Sequence, residues 1–402
     1  MDDATYLLWI LSGFPLAFLI ATTAVLLRNF LNFSPLVKTE SDPNQQTYTN
    51  ETVQVSVCIP ARNEAHNIGK CLKSLEQQTH PSFEVLVLDD QSDDGTAQIV
   101  EEYSSGNSHF NLIHGQPRPE GWLGKPWACH QLAGKARGDT LIFLDADCFT
   151  EPEFITRITS TFEYEKLDAL TLWPDQVLKS FWEYVVIPAV YYALLSFLPV
   201  MYVYRKPRWM ARFIYHHIRH WFAAACGQCI AFRRDAYYKI GGHERVKNQI
   251  VEDVALAKNL RRNDFKLKMY QGAESISCRM YTSQQEILEG FRKNFFAGFG
   301  YRIIPFFIAA LLHLWVFVIP VILLPYALAA TSAVIIFIIP SLVLIILHRL
   351  LLHMVFNWPL RYFWAQPLAV LWFLNLARIT VSDYFLNRDV NWKNRSVSTD
   401  SG

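Results

Sequence analysis

Apolar residues concentrate at the two ends of this 402-residue chain. The stretch from Tyr6 to Leu27 contains no charged residue, and about 20 consecutive apolar residues allow a helix to cross the ~30 Å hydrocarbon core of a membrane. Two acidic residues precede this stretch, whereas Arg28 and Lys38 follow it. Because basic residues flank membrane spans on the cytosolic side, the pattern predicts a membrane anchor over residues 1–30 with the following residues in the cytosol.

A second apolar region lies in the C-terminal part of the chain. The stretch from Pro305 to Ile346 contains no Asp, Glu, Lys or Arg and is long enough for two spans joined by a turn near residues 325–331. His348, Arg349 and Arg361 then indicate a return to the cytosolic face. The pattern predicts a hairpin of two transmembrane helices.

A third apolar stretch runs from Phe363 to Ala377, is interrupted by Pro367 and is ended by Arg378. If it crossed the membrane, the basic tail at residues 387–402 would lie outside, against the usual distribution of basic residues. A fourth span and a re-entrant or interfacial placement therefore both remain open. We assign residues 303–386 to a C-terminal transmembrane region.

The central segment has an ordinary globular composition. Residues 31–52 are polar and predict a linker, and residues 53–302 predict a cytosolic domain. All seven cysteines lie in this segment, and an odd number in a cytosolic domain favours reduced thiols over a disulfide framework. The chain has 37 Lys+Arg and 36 Asp+Glu, so it lacks the basic excess of an electrostatic nucleic-acid binder.

The first half of the domain alternates between strand and helix patterns. The apolar runs Val53–Ile59 and Phe83–Leu88 predict strands, and a helical pattern follows each run, the first with apolar positions at Ile68, Leu72 and Leu75. This alternation predicts an α/β domain with a mainly parallel sheet. Ligands of such sheets bind beyond the carboxyl ends of the strands.

Polar residues follow three predicted strands at those ends. Pro60–Glu64 follows the first strand and Asp89–Thr96 follows the second, while the strand Thr140–Leu144 leads directly into Asp145 and Asp147. Two carboxylates at a strand end suit a divalent cation that is held together with a diphosphate. Taken alone, the pair would equally form a solvated acidic turn.

Further motifs, in the expected order, complete a resemblance to the inverting glycosyltransferase family 2, whose catalytic domain has the GT-A nucleotide-sugar-binding fold. The resemblance covers about Val53 to Gly300. The downstream motifs are Gly124-Lys125 with Ala128, Cys226-Gly227-Gln228-Cys229 with Arg233-Arg234 and Gly241-Gly242, and Glu252-Asp253.

The resemblance implies roles for the matching residues. The residues implied in nucleotide-sugar binding are Pro60, Arg62, Asn63, Glu64, Asp90, Ser92, Lys125 and Asp145. Asp147, helped by Asp145, would hold Mn²⁺ or Mg²⁺, and Gly227 with Gln228 would lie on the acceptor side. Asp253, beside Glu252, would be the general base in a displacement at the anomeric carbon of the sugar.

Asp253 also has a purely structural interpretation. It opens a helical pattern that continues through Val254, Leu256 and Leu260, so its carboxylate could simply cap a helix N-terminus. The resemblance favours the general base.

Within the family, Gly121–Ala128 and Trp392–Arg395 look most like membrane enzymes that glycosylate terpenoid lipids, such as the hopanoid-associated and carotenoid glycosyltransferases. Processive polymer synthases carry Q-x-x-R-W after the base, whereas Gln284–Arg292 contains no Trp. We therefore expect transfer of a single sugar, with a UDP-sugar as donor and a membrane lipid as acceptor. A processive polysaccharide synthase and a non-catalytic membrane scaffold are the alternatives.

The resemblance and the charge pattern together imply a multi-pass integral protein of the plasma membrane with a cytosolic catalytic domain and no nucleic-acid partner.

Two other clusters carry little weight as metal sites. Cys226 and Cys229 have no second cysteine pair at zinc-ligand spacing. The three histidines between residues 216 and 220 are better interpreted as part of a membrane-interface helix, because their neighbours include Trp209, Arg212, Arg219 and Trp221. The aromatic run Phe181–Tyr204 is interpreted in the same way.

Overall fold

The protein is represented by a computed structural model that describes residues 3–37, 54–330, 332–386, 388, 390–392 and 395–397, with the backbone alone for 3–5, 390–392 and 395–397. Most of the predicted linker and most of the predicted tail lie outside the described residues.

The helices are α1 (Asp3–Phe30), α2 (Ile68–Glu76), α3 (Thr96–Gly106), α4 (Gly124–Lys135), α5 (Phe154–Glu165), α6 (Phe181–Phe197), α7 (Arg212–Ile218), α8 (Arg234–Lys239), α9 (Glu252–Arg262), α10 (Gln284–Asn294), α11 (Ile303–Phe317), α12 (Ile319–Ala329), α13 (Ile335–Val355) and α14 (Gln366–Phe385).

The strands are β1 (Val55–Ala61), β2 (Phe83–Asp89), β3 (Phe110–His114), β4 (Thr140–Leu144), β5 (Cys148–Thr150), β6 (Ala169–Trp173), β7 (Asp175–Gln176), β8 (Cys229–Arg233), β9 (Leu267–Gln271), β10 (Ile276–Cys278), β11 (Val390–Trp392) and β12 (Arg395–Val397). Short 3₁₀ turns connect several of these elements.

The chain divides into two compact units. The sheet unit comprises Phe33–Val177 and Val200–Met280, and the apolar unit comprises Met1–Asn32, Leu178–Pro199 and Tyr281–Gly402. In this division the segments that form α6 and α10 cluster with the apolar helices, whereas the sequence analysis placed both in the domain at residues 53–302. Both the composition of α6 and the burial of more than half of its residues fit that placement.

The sheet unit is built on a seven-stranded sheet with the order β3-β2-β1-β4-β8-β6-β9. Neighbouring strands run parallel except at β8, which is antiparallel to both β4 and β6. A smaller sheet has the order β5-β10-β7. The prediction of a mainly parallel α/β sheet is therefore confirmed.

The core of this unit forms where the predicted helix face meets the sheet. Ile68, Leu72 and Leu75 of α2 are fully buried in one cluster with side chains of β1 and β2. All seven residues of β2 are buried, as expected for a parallel strand covered on both faces. Packing of this kind holds the carboxyl ends of β1, β2 and β4 at one edge of the sheet.

Pro60 lies inside β1, although proline lacks the N–H that a central strand needs. The pairing of β1 with β4 extends from Val55 to Cys58 and stops before Pro60. Beyond that point β1 pairs only with β2. Pro60 therefore occupies a position where one side of the strand has already become an edge.

The apolar unit contains four helical segments that are long and apolar enough to cross a membrane, judged by length and composition alone. They are Tyr6–Phe30, Ile303–Ala329, Ile335–Val355 and Gln366–Phe385. The first three correspond to the predicted anchor and hairpin. The fourth begins beside Pro367, which lies in the first turn of α14, where a helix N–H needs no partner.

Pro367 therefore starts this helix instead of interrupting it, and Arg378 lies inside the helix instead of ending it.

Candidate active site

The site starts at the carboxyl end of β4. Leu144, the last residue of β4, lies opposite Cys229, the first residue of β8. The antiparallel ladder continues one step further, since the Asp145 N–H donates to the Gln228 carbonyl over 3.0 Å. Asp145 of the D-x-D motif and the Gly227-Gln228 segment, which are far apart in sequence, therefore lie side by side.

Lys125 connects the D-x-D motif to the Glu252-Asp253 pair. Its Nζ lies 2.7 Å from Asp145 Oδ1 and 3.3 Å from Glu252 Oε1, and it donates to the Gly227 carbonyl over 3.1 Å. Burial acts to lower the pKa of Lys125, but the charges of Asp145 and Glu252 raise it well above its ordinary value. The ammonium is therefore a permanent positive charge in the site.

Glu252 and Asp253 are the first two residues of α9. The N-cap position belongs to Val251, and Asp253 Oδ1 accepts the N–H of Val254 over 2.8 Å. Burial and the neighbouring charge of Glu252 raise the pKa of Asp253 to about 7, although Lys125 and the Val254 N–H act in the opposite direction. A carboxylate of this pKa can accept a proton near neutral pH.

Gly227 lies where the backbone passes these charges. A Cβ atom on this residue would lie 3.2 Å from Asp253 Oδ2 and 3.3 Å from Lys125 Nζ. These contacts are tight, so a side chain at residue 227 would require Asp253 or Lys125 to shift by a few tenths of an ångström.

Gln228 is buried, and both ends of its amide are engaged. Its Nε2 donates to Cys278 Sγ over 2.7 Å, and its Oε1 accepts from Gln176 Nε2 over 2.9 Å. The Gln228 side chain is thus held by Gln176 and Cys278. Its backbone carbonyl accepts the Asp145 N–H and so positions Asp145.

Asp147 lies beside two thiols that the sequence analysis did not connect with it. One ligand atom each from Asp147, Cys148 and Cys278 lies within 4.8 Å of the others, and the Cys148 thiol donates to Asp147 Oδ1 over 3.7 Å. Cys278 comes close because β10 and β5 pair with Cys278 opposite Cys148. Cys278 is far from Asp147 in the sequence, so its proximity follows only from the pairing of β10 with β5.

The donor set fits a hard divalent cation through its oxygens. Burial raises the pKa of both thiols well above the ordinary value for cysteine, so they remain protonated and are poor ligands. Carboxylates are the ligands that Mg²⁺ and Mn²⁺ prefer. Asp147 is therefore the member of this cluster that could hold such an ion, whereas Asp145 is paired with Lys125.

The loops after β1 and β2 are tied to each other. Arg62 Nη1 donates to the carbonyls of Asp90 and Gln91 over 2.5 and 3.0 Å. The Asn63 N–H donates to Ser92 Oγ over 2.9 Å. The predicted residues of the two motifs thus form one braced structure, at the same sheet edge as Asp145.

Glu64 and Asp90 add two further hydrogen bonds that hold these loops. The Glu64 N–H donates to Thr96 Oγ1 over 2.8 Å, and the Asp90 N–H donates to the Ala61 carbonyl over 2.8 Å. Asp90 is 6% exposed. For Ser92, the contact described is a structural one, so its predicted role in binding stays a prediction.

Comparison with known proteins finds family models that match parts of the chain. Residues 56–241 match the sequence profile described as Glycosyl transferase family 2. The chain carries a glycosyl transferase family 2 domain. This domain contains β1 to β8 and every predicted site residue except Glu252 and Asp253. The predicted GT-A fold, with N-terminal and C-terminal apolar helices, is confirmed. Residues 210–402 also match the profile described as Glycosyl transferase family 21.

Curated relatives of this chain carry the name 4,4'-diaponeurosporenoate glycosyltransferase. The protein of Staphylococcus haemolyticus (strain JCSC1435) is 28% identical over 257 residues, which are 62% of this chain and 63% of that relative. The protein of Staphylococcus aureus (strain USA300) is 26% identical over 249 residues, 61% of this chain and 62% of that relative. The matches thus span less than two thirds of the length of these relatives.

The solved structures that resemble this chain are less similar to it in sequence. The mannosyltransferase PcManGT from Pyrobaculum calidifontis, in complex with GDP-Man and Mn²⁺, is 19% identical with a TM-score of 0.49, covering 89% of this chain and 99% of that chain. S. aureus TarS is 21% identical with a TM-score of 0.40, covering 60% of this chain and 38% of that chain.

Proposed function

We propose that this protein transfers a single sugar from a nucleotide-diphosphate sugar, with a UDP-sugar as the first candidate, to a lipid acceptor such as a carotenoid or another terpenoid. The anomeric configuration is inverted in this reaction. One observation carries the proposal: Lys125 and Asp145, which lie in the residues that match family 2, form ion pairs that extend to Glu252 and so to the neighbouring Asp253. The names of the curated relatives support the acceptor class.

Asp253 is the proposed general base. Its raised pKa means that the carboxylate can take the proton of the acceptor hydroxyl while that oxygen attacks the anomeric carbon. Glu252 is already engaged by Lys125, which leaves Asp253 as the carboxylate for the proton. A single displacement at the anomeric carbon, assisted by one base, inverts the configuration of that carbon.

Lys125 acts on the donor side. Its charge lies beside Asp145, where the diphosphate of the donor would gather negative charge as the bond to the sugar breaks. Asp145 and Asp147 would hold a Mn²⁺ or Mg²⁺ ion, which would supply Lewis-acid neutralisation of the leaving diphosphate. Pro60, Arg62, Asn63, Glu64 and Asp90 belong to the braced loops that we propose hold the nucleotide.

The lipid acceptor fits the rest of the chain. Four segments are long and apolar enough to cross a membrane, whereas a water-soluble acceptor would require none. We propose a multi-pass protein of the plasma membrane with its sheet unit in the cytosol, because basic residues follow the first span.

The test is a transfer assay with the purified full chain in detergent. UDP-sugars and GDP-mannose are supplied with membrane lipid extracts, and products are analysed by mass spectrometry for glycosylated lipids and for water-soluble polymers. A glycosylated lipid that is missing with Asp253→Asn supports the proposal. Products confined to a water-soluble polymer would instead support the polysaccharide synthase, and a folded protein that binds no nucleotide sugar would support the scaffold.

A further inference from the structure

A surface of the sheet unit between residues 205 and 221, here called the 205–221 surface, exposes large aromatic side chains. Trp209, Phe213 and Trp221 are 75%, 76% and 67% exposed. Single exposed apolar side chains are common, but three large aromatic residues exposed within 13 positions of the chain indicate a binding surface.

The same surface is basic. No Asp or Glu occurs between Glu183 and Asp235, whereas Arg205, Arg208 and Arg212 are exposed. This combination of exposed aromatic rings and arginines is typical of proteins that lie on membranes.

Helix α9 adds further positive charge. Burial lowers the pKa of His220, and the charges of Arg262, Lys258 and His217 lower it further. Arg262 is itself exposed, so two elements contribute arginines. The acidic residue nearest to α7, Asp264, pairs with Arg219 and lies 3.9 Å from His216.

Buried contacts hold this surface in place. The Tyr215 hydroxyl donates to the Tyr202 carbonyl over 2.8 Å, and the rings of Tyr215 and Tyr202 both contact Phe222. Arg219 is 6% exposed and paired with Asp264. Arg219 is therefore part of the support and not part of the exposed charge, which corrects its grouping with interface residues in the sequence analysis.

We propose that the 205–221 surface docks on an anionic lipid bilayer. Trp209, Phe213 and Trp221 enter the interfacial layer, where aromatic side chains are favoured, and Arg208 and Arg212 contact headgroup phosphates. Charge complementarity selects anionic lipid, because each arginine near such a surface contributes about fivefold to docking. A chain with four candidate spans is held at a bilayer in any case. The inference goes beyond sugar transfer and does not depend on it.

The experiment uses the full chain in lipid nanodiscs. A polarity-sensitive thiol probe is placed on Phe213→Cys or on Ile214→Cys, which keeps Phe213. Tyr164→Cys in α5 is the matched control, because Tyr164 is 78% exposed on the same unit and is flanked by Glu163 and Glu165. Six of the native cysteines are buried and Cys226 is partly buried, so the unsubstituted protein supplies the labelling background.

Docking is measured by quenching with nitroxide-labelled lipids and by protection from aqueous iodide. In discs that contain phosphatidylglycerol, probes at 213 and 214 should be quenched from the lipid and protected from iodide, and the probe at 164 should show the reverse. Arg208→Gln and Arg212→Gln should each weaken docking about fivefold.

Three results would overturn the proposal. The probes at 213 and 214 could remain open to iodide in every lipid. They could be quenched equally in discs without phosphatidylglycerol, with no effect of the arginine variants, which would mean docking by apolar insertion alone. They could be protected from iodide in anionic discs and yet escape quenching by the nitroxide-labelled lipids, which would mean that protein covers the surface. None of these results bears on sugar transfer, which is measured separately.

Discussion

Lys125 forms an ion pair with Asp145, with Nζ 2.7 Å from Oδ1, and the same ammonium lies 3.3 Å from Glu252. One side chain therefore connects the motif proposed for the leaving diphosphate with the motif proposed for the base. A change at either end should alter the chemistry of the other, and this can be measured.

The first prediction concerns Asp253 itself. Asp253→Asn keeps the shape of the side chain and can still accept the Val254 N–H, so the fold and the donor affinity should survive. Turnover should fall by about 100-fold or more, because the amide cannot take the acceptor proton. Steady-state kinetics and nucleotide-sugar binding on the same preparation check both parts.

Asp235→Asn is the matched control, because Asp235 also lies in the first turn of a short helix but is 87% exposed. It should keep full turnover. Near-normal turnover of a folded Asp253→Asn variant would leave Asp253 with a structural role in α9.

The second prediction concerns pH. The base must be ionised, so kcat/KM should rise with pH through an apparent pKa of about 7, the value to which burial and Glu252 raise Asp253. Glu252→Gln removes a negative charge that disfavours ionisation, so this limb should move to lower pH. Lys125→Met removes a positive charge that favours ionisation, so the limb should move to higher pH.

The test is the direction in which each substitution moves the acid limb of the kcat/KM profile. It does not depend on the absolute activity of either variant. Shifts in the same direction, or an acid limb that neither substitution moves, would show that another group controls the profile.

How far the sequence alone predicts this site depends on how far apart the partners lie along the chain. Asp145 and Asp253 were selected from local motifs, and the structure places Asp145 directly after β4 and Asp253 in the first turn of α9. The contacts of Lys125 with Asp145 and Glu252 were not predicted, since the three residues are far apart along the chain and no local pattern encodes contacts of that kind. The proximity of Cys278 to Asp147 was missed for the same reason.

The sequence was also misleading at Pro367. It was interpreted as a break because proline disrupts helix interiors, but proline is tolerated in the first turn. The burial of Arg349 in α13 was not predicted either. Arg349 donates to Gln366 in α14, to the carbonyls of Tyr184 and Val185 in α6 and to His353 in its own helix, and the charge pattern encodes none of these contacts.

The third prediction uses the glycine that passes Asp253 and Lys125. Gly227→Ala would place a Cβ 3.2 Å from Asp253 Oδ2, which must displace the carboxylate or the backbone. Turnover should fall by about tenfold or more, since misplacement of a catalytic group by a fraction of an ångström is costly. Kinetics on the purified variant, with thermal unfolding as a check of the fold, give the answer.

Gly134→Ala serves as its control, because no atom lies within 4 Å of the Cβ position and Gly134 is inside α4. Alanine there should leave turnover unchanged and stabilise the helix by about 0.5–1 kcal/mol. Equal activity of the two variants would show that the space beside Gly227 is not needed.

The fourth prediction concerns the metal. Removal of divalent ions with a chelator should abolish turnover, and Mn²⁺ or Mg²⁺ should restore it. Asp147→Asn should abolish turnover and weaken donor binding, because one carboxylate oxygen ligand is lost. Full activity of the chelator-treated protein would contradict the proposed role of Asp145 and Asp147.

The last prediction concerns two prolines inside apolar helices. Proline has no N–H, so the carbonyl four residues earlier loses its helical hydrogen bond. Pro188 frees the Tyr184 carbonyl, which accepts from Arg349 Nη2 over 2.6 Å. Pro15 frees the Leu11 carbonyl, which accepts from Trp315 Nε1 over 3.0 Å.

Each freed carbonyl is thus satisfied by a side chain of a different helix. Arg349→Met should lower stability by at least about 1–3 kcal/mol, because it leaves a buried carbonyl unpaired. Pro188→Ala restores the N–H within α6, so it should recover part of that loss.

The coupling between Arg349→Met and Pro188→Ala should be about 1 kcal/mol, within the range found for residues in contact. Trp315→Phe with Pro15→Ala should behave in the same way. The crossed combination, Arg349→Met with Pro15→Ala, should be additive, since those residues belong to different contacts. Thermal unfolding of the single and double variants in one detergent measures all three cycles, and additivity in the matched pairs would show that these side chains hold the helices by packing alone.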